Sequence, residues 1–333
     1  MAKPKVFVSR IIPEAGLKIV LEQCAADVWP EDRPAPREEI MRRVPDVDGI
    51  LSMLTDRMDS ELMAAAPKLR VISNNAVGFD NIDVPAATQR GIAVGHTPGV
   101  LTETTADMAF ALLLAVARLV VPGVDYVRAG KWQTWDPMLL LGRDVHHATL
   151  GLVGLGRIGT EVAKRARGFD MRVVYHSAHR HPGRERELGL EYLELDDLLR
   201  QADFVSIHTP LTPDTHHLID ARALALMKPA AVLVNTSRGP VVDSEALYDA
   251  LKDRAIGAAA LDVTEPEPLP VDHKLLSLDT CIVVPHIGSA SVAARDAMAV
   301  LAAENLLAGV AGQPLRASLN PEVKPRFSQG LIL

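Results

Sequence analysis

Cysteine is nearly absent: two residues, Cys24 and Cys281, stand in 333. They lie far apart and show no metal-type spacing, which argues against a disulfide framework and against a thiolate metal centre; no metal is expected. Such a pair reads as buried thiols of a reducing compartment, so a cytoplasmic protein is expected. Aromatic residues make up only 4%, and none interleaves with basic residues. No basic block occurs, and Asp plus Glu (42) exceed Lys plus Arg (35), leaving a net charge of −7. Nucleic acid is therefore not an expected partner. The one long apolar run, Ala109 to Val121, is interrupted by Arg118 and is short for a bilayer. It is expected to pack between domains or subunits, and no membrane partner is expected. The start, Lys3 to Val8, reads as a strand and not as a signal peptide.

What the chain does have is hydrophobic content, 48%, and enough length for two domains. Its first hundred residues alternate apolar runs with helical patterns. Strands are expected at Val6–Val8, Gly49–Met53, Arg70–Ser73 and Ile92–Val94. Helices are expected at Pro13–Glu22, Arg37–Arg43, Ser60–Ala65 and Val84–Thr88. Such alternation points to a parallel sheet covered by helices. A long helix, Thr102 to Leu119, and an irregular stretch, Lys131 to Pro137, follow.

The alternation restarts at Thr149-Leu150-Gly151-Leu152-Val153-Gly154-Leu155-Gly156-Arg157-Ile158-Gly159. A strand enters a G-x-G-x-x-G turn, a helical pattern (Ile158 to Ala166) leaves it, and a second strand (Met171 to Tyr175) follows. Gly154 suits the tight turn, Gly156 a close backbone approach to a pyrophosphate, and Gly159 tight packing of helix on strand. Arg157 and Ile158 open a helix whose free N–H groups attract phosphate. This is a dinucleotide-binding pattern. Further strands are expected at Asp203–His208, Ala231–Asn235, Ala258–Asp262 and Cys281–Val284, with helix from beyond Pro285 to Leu307.

In such units an acidic residue at the tip of the second strand binds the adenine ribose hydroxyls. Here Ser177 stands in that place, with Arg180 close by. A carboxylate would repel a 2′-phosphate, whereas a hydroxyl and a guanidinium bind it. NADP(H) is thus the expected cofactor, with NAD(H) also possible.

Three ionisable residues follow expected strand ends, where open α/β sheets bind ligands: Arg238, Glu267 and His286. Reduction of a 2-oxo acid needs a proton donor that titrates near neutrality, a carboxylate to orient the imidazolium, and an arginine fork for the substrate carboxylate.

Val153 to Gly159, Asn235-Thr236-Ser237-Arg238-Gly239, Leu261-Asp262-Val263 and Pro285-His286-Ile287-Gly288-Ser289 resemble the motifs of the D-isomer-specific 2-hydroxyacid dehydrogenases. Within that family the likeness is greatest to glyoxylate/hydroxypyruvate reductases, carried by Asn75 to Asp83, His96 to Thr102 and Thr105 to Leu113. The resemblance implies an α/β fold of two doubly wound parallel-sheet domains, a central Rossmann domain inserted into a flavodoxin-like substrate domain. The boundaries expected are 1–100 and 288–333 for the substrate domain and 101–287 for the dinucleotide domain, with the active cleft between them. It makes Arg238, Glu267 and His286 the catalytic set. Substrate contacts fall to the backbone N–H groups of Val77 and Gly78 and to Ser289, with Met53 and Trp135 bordering the substrate. Thr105, Arg157 and Ile158 meet the cofactor phosphates, and Asp262 the nicotinamide amide. A homodimer is implied, in which Trp135 reaches the partner's active site or, alternatively, packs in a local cluster.

Relatives of other specificity stay open to different degrees. Phosphite-oxidising members share features around Met53 and Arg295 but carry a lysine where Val77 stands. Phosphoglycerate dehydrogenases usually carry the acidic residue missing at Ser177. A D-lactate-type activity, or a dinucleotide-sensing binding protein of the same fold, completes the alternatives. The expected reaction is NAD(P)H-dependent reduction of glyoxylate to glycolate or of hydroxypyruvate to D-glycerate.

Overall fold

A computed structural model of the chain describes residues 2–323. Position 1 and residues 324–333, to which the expected substrate domain extends, lie outside the described residues. The chain divides into two compact units, one of residues 1–101 with 290–333 and one of residues 102–289.

The first unit holds five parallel strands: β1 (Lys5–Val8), β2 (Ala25–Val28), β3 (Gly49–Ser52), β4 (Val71–Asn74) and β5 (Ala93–Gly95). Their order, β2-β1-β3-β4-β5, is the flavodoxin-like one. The apolar runs expected as strands form four of these, shifted by a residue or so. The fifth, β2, was not anticipated: it is an edge strand alternating exposed and half-buried positions, so no apolar run marks it. Asp59 and Asp83 cap the N-termini of the helices Ser60–Ala65 and Val84–Gln89 by accepting the amides of Leu62 and Ala86, contacts worth about 1 kcal/mol each. The helix Val292–Val310 covers one face of this sheet, and Ser73 donates its hydroxyl to the Ala302 carbonyl at 2.7 Å. Gly16 allows the helix Glu14–Gln23 to lie directly on Ala299.

The second unit is a seven-stranded parallel sheet: β6 (Thr149–Val153), β7 (Arg172–His176), β8 (Glu191–Tyr192), β9 (Phe204–Ile207), β10 (Val232–Asn235), β11 (Ala258–Leu261) and β12 (Cys281–Val283). Its order is β12-β11-β10-β9-β6-β7-β8. Counted from β6, this is the Rossmann order with one strand added, and the direction of crossover reverses between β6 and β9. Leu150, Leu152, Phe204, Val232 and Val234 are buried together on one face, beneath the helix Thr102–Ala117.

That helix is shorter than the pattern suggested. It ends at Ala117, Leu119 adopts a left-handed conformation (φ 51°), and a second helix, Val120–Arg128, leaves at 60°. Pro122 sits in the first turn of this second helix, where its missing N–H costs nothing. No single helix among the described residues is long and apolar enough to cross a membrane.

Candidate active site

Glycine is required at two places in the turn after β6. Gly154 has φ +102°, and a Cβ there would stand 2.7 Å from the backbone carbon of His208. At Gly159 a Cβ would collide with the Gly154 carbonyl oxygen, so the helix Arg157–Ala166 packs against the turn only with glycine in that position. At Gly156 the opposite holds: nothing lies within 4 Å of the Cβ position, which leaves that backbone open to approach. The helix begins at this point, and no acidic side chain occupies its first turn. Unpaired N–H groups and an open approach fit a pyrophosphate.

His208, unmarked in the sequence reading, forms the floor of this turn. Its Nε2 lies 2.8 Å from the Ser206 hydroxyl, and burial pushes its pKa down from 6.5 to about 4, so the ring is neutral at physiological pH.

Ser177 follows β7 directly and is half-buried. Arg180 is gripped by Glu185: its Nε and a terminal nitrogen donate to the two carboxylate oxygens at 2.8 and 2.9 Å. Glu185 also accepts the Tyr175 hydroxyl at 2.7 Å, and the Arg180 and Tyr175 hydrogen bonds hold its pKa near 2. Arg184, also overlooked in the sequence, donates to the Leu155 carbonyl inside the glycine turn.

On the other side of β6, three loops leave the carboxyl ends of β10, β11 and β12. His286 Nδ1 lies 2.6 Å from Glu267 Oε1, with the side chains 25% and 35% exposed. Burial raises the Glu267 pKa, but the hydrogen bond and charge of His286 outweigh it, aided by the Arg238 charge; the net shift is downward. His286 is held in a left-handed conformation, φ 52°, at a typical cost of ~1–3 kcal/mol. Surrounding bonds determine it: the His286 N–H donates to the carbonyls of Asp262 (2.9 Å) and Val284 (3.0 Å). Asp262 then accepts the amides of Ile287 (2.6 Å) and Gly288 (2.8 Å). Both Asp262 oxygens thus clasp the His286 loop. Burial raises the Asp262 pKa, and these amide bonds oppose that rise. Thr105 is buried, its methyl 3.5 Å from the place a Gly288 Cβ would take. Ser289 is half-buried at the end of this loop. Arg238 is half-buried after β10; its guanidinium donates to the Ser237 carbonyl at 2.9 Å, and its own carbonyl accepts from Asn235 Nδ2 at 2.9 Å.

In the first unit, Val77 and Gly78 are tied back through their carbonyls, by His96 Nδ1 at 3.0 Å and by Asn74 Nδ2 at 3.0 Å. This fixes the peptide planes. Met53 donates its N–H to Asp56 and places its sulfur 3.9 Å from Asn75 Nδ2. Asn75 Oδ1 is buried without a partner among the described residues, a polar group that the motif contained and the sequence reading did not single out.

Residues 110–288 match the family model for the D-isomer specific 2-hydroxyacid dehydrogenase, NAD binding domain. The chain belongs to the D-isomer-specific 2-hydroxyacid dehydrogenases. It is 52% identical to a glyoxylate reductase of Korarchaeum cryptofilum, over 96% of this chain and 97% of that one. Among solved structures, a protein of Thermus thermophilus shares 47% identity at a TM-score of 0.89, covering 95% and 99%. An NADPH-dependent glyoxylate/hydroxypyruvate reductase of Sinorhizobium meliloti, solved with NADP and malonate, shares 32% at 0.84, covering 98% and 100%. The chain is accordingly an oxidoreductase enzyme that uses a nicotinamide dinucleotide and reduces a 2-oxo acid.

Proposed function

We propose that this dehydrogenase reduces glyoxylate to glycolate, and hydroxypyruvate to D-glycerate, with NADPH preferred over NADH. The observation that carries the reading is the 2.6 Å pair between His286 and Glu267, set on a loop that Asp262 clasps. We assign the dinucleotide to the second unit, residues 102–289, and the substrate-binding role to the first, residues 1–101 with 290–333.

Thr105, Arg157, Ile158 and the Gly154–Gly159 turn would hold the phosphates of a nicotinamide dinucleotide and Asp262 its carboxamide; when bound, the dinucleotide would supply the hydride. The protein's own residues do the rest. Arg238 holds the substrate carboxylate with a planar fork and polarises the carbonyl to be reduced. In the first unit the amides of Val77 and Gly78 and the side chain of Met53 are assigned to the substrate; in the second unit Ser289 and Trp135 are. His286, protonated, delivers its Nε2 proton to the carbonyl oxygen as hydride reaches the carbon. Glu267 accepts the Nδ1–H throughout, which keeps the ring oriented and stabilises its cationic form. The product is the neutral hydroxyl, and His286 is left neutral until it regains a proton from water.

NADPH is favoured by the absence of a carboxylate at the tip of β7 and by Ser177, Arg180 and Arg184 beside it. Glu185 tempers this preference, because a 2′-phosphate must compete with it for Arg180. The homodimer is supported by an apolar face on the second unit. Val120, Val124 and Val127 share one side of the helix Val120–Arg128 and are exposed, as are Met138 and Leu141, and Trp135 is 79% exposed and joins no hydrophobic cluster among the described residues. We place the enzyme in the cytoplasm, where its two thiols, pushed up by burial to about 11 (Cys24) and about 12 (Cys281), stay protonated.

The test is a panel of glyoxylate, hydroxypyruvate and pyruvate with NADPH and with NADH, and phosphite with NADP⁺. Rapid NADPH consumption with the first two is expected. Cofactor binding without turnover of any 2-oxo acid would favour a dinucleotide-sensing protein, and phosphite oxidation would replace the assigned substrate.

A further inference from the structure

Two loops of the second unit bring three potential metal ligands together away from His286. His216 and His217 belong to the loop after β9, and Glu265 to the loop after β11. Backbone strain places the histidines. In extended chain, consecutive side chains point to opposite sides. His217 is instead left-handed (φ 51°), and the two rings stack on one side with centroids 4.0 Å apart and planes at 27°. The loop is held in this shape by bonds from the His217 N–H to the Pro240 carbonyl (2.8 Å) and from the Ile219 N–H to the Val241 carbonyl (3.0 Å).

Glu265 meets both rings. Its Oε2 is 2.7 Å from His217 Nε2, and its Oε1 is 3.9 Å from His216 Nε2. The first distance is a hydrogen bond. The second is too long for one; two ligands on a common tetrahedral ion with bonds of about 2.0–2.1 Å stand about 3.3–3.4 Å apart, so a shift of roughly half an ångström brings this pair to that spacing. All three ligand atoms lie within 4.8 Å of one another, so side-chain shifts of under an ångström or so close the set. Behind His217, Asp243 Oδ2 is 4.0 Å from Nδ1, too far for a hydrogen bond but close enough to place a negative charge beside the ring. The His216 side chain is 52% exposed, which gives an ion access from solvent.

We propose that His216, His217 and Glu265 form a surface site for a divalent transition ion of borderline softness, such as Zn²⁺. Two imidazoles and one carboxylate suit zinc, nickel or copper and disfavour magnesium and calcium, which take oxygen ligands. The remaining positions on the ion are filled by water. The site is separate from the Glu267–His286 pair, although the same loop carries both carboxylates, and its ligands are not those assigned to the substrate or the dinucleotide.

The experiment is calorimetric titration of tag-free, full-length protein with Zn²⁺ at neutral pH, for the wild type, His216→Ala and Glu265→Gln. Melting temperatures establish that each variant is folded. His216 is exposed and Glu265→Gln keeps a hydrogen-bond acceptor for His217, so both are expected to fold. The wild type should bind one Zn²⁺ more than His216→Ala, and Glu265→Gln should weaken that same event at least tenfold. Equal stoichiometry and affinity in all three proteins, or uptake of Mg²⁺ as tight as that of Zn²⁺, would overturn the site. Neither result depends on whether the enzyme reduces glyoxylate.

Discussion

His286 Nδ1 and Glu267 Oε1 are 2.6 Å apart, the shortest polar contact made by either residue, and the loop that delivers His286 is fastened by both oxygens of Asp262. A histidine held in a left-handed conformation, whose Nε2 has no hydrogen-bond partner among the described residues, has the geometry of a preorganised proton donor.

The charge on Glu267 sets the pH range of reduction. Its pKa is lowered, so the carboxylate is ionised throughout the neutral range and the pair is lost only as pH falls through that lowered value. In Glu267→Gln no carboxylate is left to protonate, and the acid-side fall of kcat/KM for glyoxylate that follows Glu267 protonation should disappear. An unmoved profile would count against the pair.

Arg238→Lys keeps the charge and discards the fork. A loss of about a hundredfold in kcat/KM is expected, the scale of removing one preorganised donor from a developing oxyanion. Near-normal kinetics in the lysine variant would mean that Arg238 acts as a point charge only.

Cofactor preference depends on two carboxylate positions, one absent and one present. Ser177→Asp should turn the ratio of catalytic efficiencies toward NADH. Glu185→Gln should move it several-fold toward NADPH, because Arg180 is then released to the 2′-phosphate while the Tyr175 hydroxyl keeps a partner. Equal ratios in all three proteins would remove Arg180 from the phosphate site.

His208 makes the fold acid-sensitive. Its folded pKa of about 4 lies below the 6.5 of an exposed ring. Between these values the unfolded chain takes up a proton that the folded protein refuses. Its contribution is therefore complete above pH 6.5 and is lost as pH falls toward 4, by up to about 3 kcal/mol. Chemical denaturation across that range should show a flatter pH dependence in His208→Gln than in the wild type.

The sequence disclosed those features that depend on local chemistry. Gly154 and Gly159 were legible because a positive φ and a backbone collision leave no other residue type at those positions. Arg238, Glu267 and His286 stood out as candidates because each follows an apolar run that ends at a strand tip. What stayed hidden depends on distant partners or on weak local signals. The edge strands β2 and β8 bury too little to show an apolar run. The break at Leu119 comes from a left-handed residue with no glycine to announce it. Arg180 reads as a free cation until Glu185, one turn into the next helix, is seen to grip it. His217 and Glu265 meet although they are 48 positions apart, because β9 and β11 end on the same side of the sheet.

The central claim, that His286 gives the proton to a 2-oxo acid, is tested most directly by glyoxylate turnover in His286→Ala at saturating NADPH, with cofactor affinity measured on the same sample. The account predicts unchanged NADPH affinity and a fall in kcat of about a hundredfold or more. Turnover within a few-fold of the wild type, with the cofactor bound, would contradict it.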